Sequence, residues 1–368
     1  MKTLKVVMKI LLILAIVVVV ILLAVVLFLE FSPTVGKMPG KKDKARFASL
    51  TSQFHDGKFN NENSTSTMTG DSYPSSNRKT PKNIIKAEKP EFLTDPGEED
   101  LTFTWFGHSS FMLQMGGKNI LVDPVFSKRC SPVGFAGPKR FSELPLEVDE
   151  LPNIDVLFIS HDHYDHLDYK TVRALKDKVE KVIVPLGLDV TLKGWGFDES
   201  KIIVLNWWES VEIGGMTFTH TPSQHFTGRN PLKGNSTFWG GIYISNDYHK
   251  VYYTGDGGYY DVFEKVGERL GAPDLMIAEC GQYDTAWAKV HMFPEETAKA
   301  AADVKAKWVI PVHWGTFSIC NHAWDDSITR VTKASETENV DLATPRIGQT
   351  VNYDEIGTYT EHWWEDVE

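Results

Sequence analysis

At 368 residues, the chain is long enough for one large or two average domains with a substantial core. With 49 acidic against 38 basic side chains and a formal charge of −11, it lacks the basic balance of a nucleic-acid-binding protein. Its three cysteines, Cys130, Cys280 and Cys320, do not make a disulfide framework and are expected as free core thiols.

Ile10 to Leu29 is an unbroken run of 20 apolar residues. As a helix rising 1.5 Å per residue it spans roughly 30 Å, the thickness of a bilayer core. The segment that follows, Phe28-Leu29-Glu30-Phe31-Ser32-Pro33, offers no small-x-small cleavage site. Residues 1–30 are therefore expected to be an uncleaved membrane anchor and the chain a single-pass cell-membrane protein. Lys2, Lys5 and Lys9 flank the run on one side, and Lys37, Lys41, Lys42, Lys44 and Arg46 on the other, so basic flanks do not decide orientation. A short basic N-terminus usually stays inside, which places the following domain outside the cytoplasm.

Residues 31–98 read as a polar stalk or partly ordered linker, with Ser, Thr, Asn and Gly concentrated between Asn60 and Asn77. Phe47, Phe54 and Phe59 are poor choices for free coil, so parts of it are expected to pack. Residues 99–368 read as one domain. Leu101 to Phe106, Phe111 to Met115 and Asn119 to Val122 form a predicted meander, with Gly116-Gly117 as the second turn. Strands and helices then alternate. Strands are predicted at Val156–Ser160, Lys181–Pro185, Met216–His220, Phe238–Ser245, Lys250–Tyr253, Leu275–Glu279 and Trp308–Val312. Helices are predicted at Thr171–Val179, Tyr260–Leu270, Pro294–Lys305, opened by Pro and two acids, and Trp324–Ser335.

The densest chemistry lies at the end of the Val156–Ser160 strand, in His161-Asp162-His163-Tyr164-Asp165-His166. His161 and His163 are two apart and point the same way as the chain leaves the strand. Asp165 and His166 follow one turn later. Nitrogen and carboxylate donors without thiolates favour zinc, with manganese or iron as substitutes, and the spacing suits two adjacent ions better than one.

This H-x-H-x-D-H motif resembles that of the metallo-β-lactamase superfamily, and His225, Asp256 and His313 follow in the superfamily's order. Within it, several segments are similar to the N-acylphosphatidylethanolamine-hydrolysing phospholipase D group. They are Trp105-Phe106-Gly107-His108-Ser109-Ser110, Val122-Asp123-Pro124, His163 to Asp168, Pro222-Ser223-Gln224-His225 and His291 to Glu296. The resemblance covers residues 100–353 and implies an α+β fold, the four-layer αββα sandwich, behind the N-terminal transmembrane helix.

The resemblance also implies two Zn2+ per chain. His161, His163 and His225 would hold one ion; Asp165, His166 and His313 the other; Asp256 would bridge them. Asp123 looks like a carboxylate that orients a metal-bound imidazole, or else a turn-capping residue before Pro124. His108 would line the site floor or bond backbone in a tight turn. His291 would assist at the phosphate or leaving group, making Asp256, Asp165 and His291 the expected catalytic residues. His220 is read as a packed residue of its strand. The expected activity is phosphodiester hydrolysis of an N-acylphosphatidylethanolamine-like lipid, with hydrolysis of small lactones, amides or phosphoesters as the alternative on the same scaffold. For the lipid, Phe106-Gly107-His108, Tyr283 to Trp287 and His291-Met292-Phe293 are expected to open onto the zinc edge and supply an apolar groove, with Trp287 or Phe293 contacting acyl chain. Only 30 residues separate His225 from Asp256, and 56 separate Asp256 from His313, leaving no room for a large nucleic-acid clamp.

Overall fold

The computed structural model describes residues 2–63, 68 and 70–367. An N-terminal helix, α1 (Lys2–Phe31), precedes a short helix α2 (Lys41–Leu50) and a small hairpin, β1 (Phe54–His55) and β2 (Lys58–Phe59). The first half of the domain then runs β3 (Leu101–Gly107), β4 (Ser110–Met115), β5 (Lys118–Val122), β6 (Ile154–Phe158), α3 (Tyr169–Leu175), β7 (Val179–Pro185), α4 (Leu188–Gly194) and β8 (Ile202–Leu205). The second half runs β9 (Ser210–Ile213), β10 (Met216–Thr221), β11 (Gly241–Ser245), β12 (Lys250–Tyr253), α5 (Val262–Leu270), β13 (Leu275–Glu279), α6 (Pro294–Val304), β14 (Trp308–Val312), α7 (Asp326–Glu338) and β15 (Asp341–Leu342). A last strand, β16 (Thr350–Asn352), returns to the first sheet.

Each half contributes a seven-stranded sheet, in the orders β16-β3-β4-β5-β6-β7-β8 and β15-β14-β13-β12-β11-β10-β9. In both, an antiparallel meander passes into parallel strands connected by helices. The parallel strands are apolar on both faces because both faces are covered. Val156, Phe158 and Ile183 face Ile242, Tyr253, Ile277 and Ile310 in the core between the sheets. Leu157, Val182 and Val184 face the other way, onto Val172, Leu175, Leu188 and Leu192 of α3 and α4. Met276 and Tyr252 do the same for α5 and α6 through Val266, Ala300 and Val304. The result is the expected four-layer α+β sandwich.

Several boundaries shift. The strand before the histidine motif ends at Phe158 rather than Ser160, and the helix after it ends at Leu175 because Lys176 to Lys178 turn the chain into β7. Phe238 and Trp239 lie outside β11, in an aromatic cluster with Trp207, Phe47, Phe54 and Phe59. That cluster packs α2 and the β1–β2 hairpin onto the domain, with Phe59 stacked on Phe238 at 4.6 Å. Trp363 and Trp364 are buried beside Trp314, so the C-terminal tail docks into the core. All three cysteines are buried and free.

Candidate metal centre

The ligand-type side chains sit on loops that leave the same edge of the two sheets: His161 to His166 after β6, His225 after β10, Asp256 after β12 and His313 after β14. Strand ends are where irregular backbone is available to turn polar groups toward a common point. His108, Asp123 and His313 all adopt left-handed backbone, with φ of 53°, 42° and 71°. For non-glycine residues this costs of order 1 kcal/mol or more each and is sustained only where the surroundings over-determine it. Here the clamps are visible: the amide N–H of His313 donates to the carbonyl of His108 (3.0 Å) and that of His108 to the carbonyl of Trp314 (3.2 Å).

The histidine loop folds as its spacing requires. The amides of His166 and Leu167 donate back to the carbonyl of His163, closing a turn that brings Asp165 and His166 under His161. His161 Nε2 lies 3.0 Å from His163 Nδ1, which lies 3.3 Å from His225 Nε2. These form one nitrogen cluster. In the second, Asp165 Oδ2 lies 3.3 Å from His313 Nε2 and 3.7 Å from His166 Nε2. Asp256 stands between them, its Oδ2 at 3.1 Å from His166 Nε2, 3.3 Å from His313 Nε2, 3.7 Å from His161 Nε2 and 3.9 Å from His225 Nε2. All seven residues are thus brought together. Asp256 reaches this position past Gly255, whose φ of 61° and a would-be Cβ only 2.6 Å from the carbonyl of Gly240 leave space for glycine alone.

Whether such a set suits metal ions is tested by what its atoms lack. Both carboxylate oxygens of Asp256 and Nε2 of His166 are buried with no aligned hydrogen-bond partner. Buried polar atoms are rarely left so, and four imidazole nitrogens converging on an unbonded carboxylate oxygen make a donor set that divalent ions satisfy. The fit is good.

Surrounding groups fix the imidazoles. Asp123 is fully buried; its Oδ2 accepts from His166 Nδ1 (2.8 Å), the Tyr253 hydroxyl (2.8 Å) and the Ser160 hydroxyl (2.5 Å), while Oδ1 accepts from the Ser160 amide (2.8 Å). Of its two readings, imidazole orientation is therefore the one its geometry supports. With a metal bound, it would keep the proton of His166 on Nδ1 and leave Nε2 to face the ion. His225 Nδ1 lies 2.9 Å from the carbonyl of Val290, which does the same for that ring. His108 Nε2 lies 2.9 Å from Asp165 Oδ2, so His108 supports a carboxylate as well as the turn. His291 stacks on His313, 5.4 Å between centroids, and its Nδ1 lies 3.4 Å from Glu279 Oε1. His220 is buried in β10, away from these clusters.

Burial and neighbours divide the histidines electrostatically. Burial pushes His161, His163 and His225 below the ordinary imidazole range, and His108 down to about 3. At His166 and His313 burial acts in the same direction but is outweighed by nearby carboxylates, Asp256 foremost. His166 is held well above its usual value and His313 rises to about 9. Asp165 and Asp256, although burial raises them, are held well below the carboxylate range by the facing imidazoles.

Two features escape sequence reasoning. Glu279, fully buried at the end of β13, faces His291 and also His313, whose Nδ1 is 3.5 Å from Oε2; an acid closing the apolar run Leu275–Ala278 was the available signal. Asn61, in the predicted stalk, bonds the backbone of His225, and nothing in the local sequence points to it. Conversely, Phe106 and Tyr283, expected to open onto the zinc edge, are in the core, Tyr283 with its hydroxyl on Asp326.

The family described as beta-lactamase superfamily domain matches residues 118–314, from β5 through the loop that carries His313. An uncharacterized protein of Mycobacterium tuberculosis is 40% identical over 269 residues, 72% of each chain. The N-acyl-phosphatidylethanolamine-hydrolyzing phospholipase D 1 of Caenorhabditis elegans is 37% identical over 232 residues, 60% of this chain and 65% of that one. Among solved structures, the metallo hydrolase Igni18 of Ignicoccus hospitalis shares the fold with a TM-score of 0.53 at 21% identity, over 69% of this chain and 98% of the other. Sandwich, histidine loop and family match agree: the chain belongs to the metallo-β-lactamase superfamily of metal-dependent hydrolases.

Proposed function

We propose that the protein is a membrane-anchored, dinuclear zinc phosphodiesterase of phospholipase D type, acting on N-acylphosphatidylethanolamine-like lipids. The observation that carries the hydrolytic reading is the position of Asp256 between the cluster of His161, His163 and His225 and that of Asp165, His166 and His313. When bound there, two Zn2+ supply a water acidified toward neutral pH and positive charge facing the phosphoryl oxygens. Asp256 and Asp165, kept ionised by the imidazoles around them, would orient that water, whose proton passes to solvent. Its oxygen would form a bond to phosphorus as the bond to the amide-alcohol oxygen breaks. His291, beside both His225 and His313 yet partly open to solvent, gives the departing oxygen its proton. The products are a phosphatidate and an N-acylated ethanolamine.

The lipid substrate rests on three supports. The phospholipase relative is the first. The second is α1, in which an 18-residue stretch has a mean hydropathy of 3.9 and no buried residue. The third is a cavity of about 540 Å³ bordered by Thr34 and by Tyr164 of the histidine loop, with Lys128, Arg129 and Lys170 in its lining as cations suited to a phosphate headgroup. A small-molecule substrate is the second reading, favoured by the burial of Phe106 and Tyr283, which removes two walls of the expected apolar groove.

Purified full-length protein is to be incubated with N-acylphosphatidylethanolamine, other phospholipids and a lactone panel, with products followed by mass spectrometry. Phosphatidate with N-acylethanolamine is the expected outcome. His291→Ala should lower kcat while zinc content stays at two per chain. A lactone cleaved far faster than any phospholipid would overturn the lipid assignment, and absence of zinc after zinc-replete expression would overturn the enzyme.

A further inference from the structure

The segment between the apolar helix and the sandwich reads as a stalk, yet it touches the metal centre. Asn61 is two residues past the β1–β2 hairpin. Its Oδ1 accepts the amide N–H of His225 at 3.0 Å, and its Nδ2 donates to the carbonyl of the same residue at 2.9 Å. One side chain thus takes both backbone groups of a candidate ligand that follows β10 on an irregular stretch. The ring itself is tied through the contact of Nδ1 with the carbonyl of Val290.

The grip has a rigid base. The β1–β2 hairpin is fixed by Phe59 stacked on Phe238, and by a reciprocal pair in which the Phe59 amide donates to the Asn235 carbonyl and Asn235 Nδ2 donates to the Phe59 carbonyl. Asn235 in turn accepts from the amide of Thr227 through its Oδ1 at 3.0 Å, two residues beyond His225. The hairpin therefore brackets the His225 loop. Neighbouring Asn60 plays no such part: its amide nitrogen donates to the carbonyls of Gln53, His55 and Lys58, all within the hairpin region.

From this geometry we propose that Asn61 is a positioning residue for His225, and that the segment before the sandwich completes the metal centre. The inference rests on the metal-site reading of His161, His163 and His225. An amide is suited to the task because it offers a donor and an acceptor in one plane, matching the C=O and N–H of a single extended residue. Loss of a group that orients a ligand typically weakens metal binding on the order of ten- to a hundredfold.

The test uses full-length protein in detergent micelles, loaded with cobalt(II) alone. Wild type, Asn61→Ala and Asn60→Ala are compared by visible absorption, by chelator competition and by melting temperature of the metal-free form. Asn61→Ala should alter the cobalt spectrum and release one cobalt to chelator about tenfold more readily. Asn60→Ala should lower the melting temperature at least as far and leave spectrum and affinity as in wild type. Asn61→Ala with a wild-type spectrum and affinity would overturn the role of Asn61 while leaving the metal centre standing. Equal spectral change in Asn60→Ala would also overturn it, since the effect would then be general loosening. Wild type that takes up no cobalt would overturn the metal-centre reading and this inference with it.

Discussion

Replacing Asp123 by Asn tests whether the buried carboxylate sets the histidine tautomer. Oδ2 of Asp123 receives three donors, the hydroxyls of Ser160 and Tyr253 and the His166 ring, and Oδ1 receives the Ser160 amide. Only a carboxylate accepts at both positions. In Asp123→Asn the new NH2 group faces either the three donors at Oδ2 or the backbone N–H at Oδ1, so at least one donor–donor contact is forced in a site that is fully buried. Each buried group left unsatisfied costs about 1–3 kcal/mol, so a loss of roughly 2–4 kcal/mol in stability is expected. The larger effect should be on metal. Even where the amide oxygen faces the ring, a neutral carbonyl holds the Nδ1 proton less firmly than a carboxylate, so His166 is freer to take the tautomer that turns a proton toward the site, and affinity should fall about 10–100-fold. Titration with a chromophoric chelator, alongside thermal unfolding of the metal-free protein, separates the two effects. A variant destabilised by the expected amount but retaining wild-type metal affinity would refute the argument about tautomer.

Two further perturbations follow from the same geometry. A Cβ at Gly281 would stand 1.7 Å from the carbonyl oxygen of His313, so Gly281→Ala should displace that loop and lower zinc content to about one ion per chain, measured by elemental analysis. Zinc retained at two with full activity would count against His313 as a ligand. The metal-free protein should be most stable near pH 6.5. His161, His163, His225 and His108 have depressed folded values, so their contribution is present above the unfolded value of 6.5 and is lost as pH falls below it. His166 and His313 have raised values, so theirs is present below 6.5 and is lost as pH rises above it, for His313 toward about 9. Melting temperatures of the metal-free form that climb steadily from pH 5 to 9 would contradict this assignment of charges.

The parts of the molecule legible in the sequence are those whose pattern is local. Apolar runs bounded by turns gave β3 to β6 and β12 to β14, and four ligand-type residues within His161–His166 marked the centre before any partner was known. His225, Asp256 and His313 are far apart in the chain and isolated from one another; only the family order joined them. What stayed hidden depends on tertiary partners. Strand β16 is three residues, Thr350–Asn352, recognisable only by its antiparallel pairing with Thr102 to Thr104. Helix α4 starts after Gly187 with β-branched Val190 and Thr191 inside it, a poor helical signature sustained by packing of Leu188 and Leu192 under the first sheet. Tyr283 reads as a groove residue because an exposed and a buried aromatic look alike in sequence; its ring is held by Arg330 and His322 instead.

The way α1 joins the domain bears on which substrates the anchor would serve. A helix of 30 residues is about 45 Å long, enough to cross a bilayer with a turn or more to spare. A flexible tether after it would let the site sample a large volume, and proximity to the membrane would then help any nearby substrate. The connection found here is short and fixed. Asn230 Nδ2 donates to the carbonyl of Leu29 (3.0 Å), Lys233 pairs with Glu30 (2.6 Å), and the Trp195 indole donates to the carbonyl of Pro33 (2.8 Å). Fully buried Arg229 donates through Nε to the carbonyls of Thr34 and Val35 (3.0 Å each) and through Nη1 to those of Asp162 (3.1 Å) and Leu167 (2.6 Å). A single guanidinium therefore separates the chain leaving the helix from the loop that carries His161 to His166. With α1 in a bilayer, that arrangement holds the metal centre at one height and one tilt above the surface. A soluble lactone gains nothing from a fixed height, because it arrives from every direction. A phosphodiester at the headgroup level gains alignment on each encounter, and it is for such a substrate that a rigid link is the useful one.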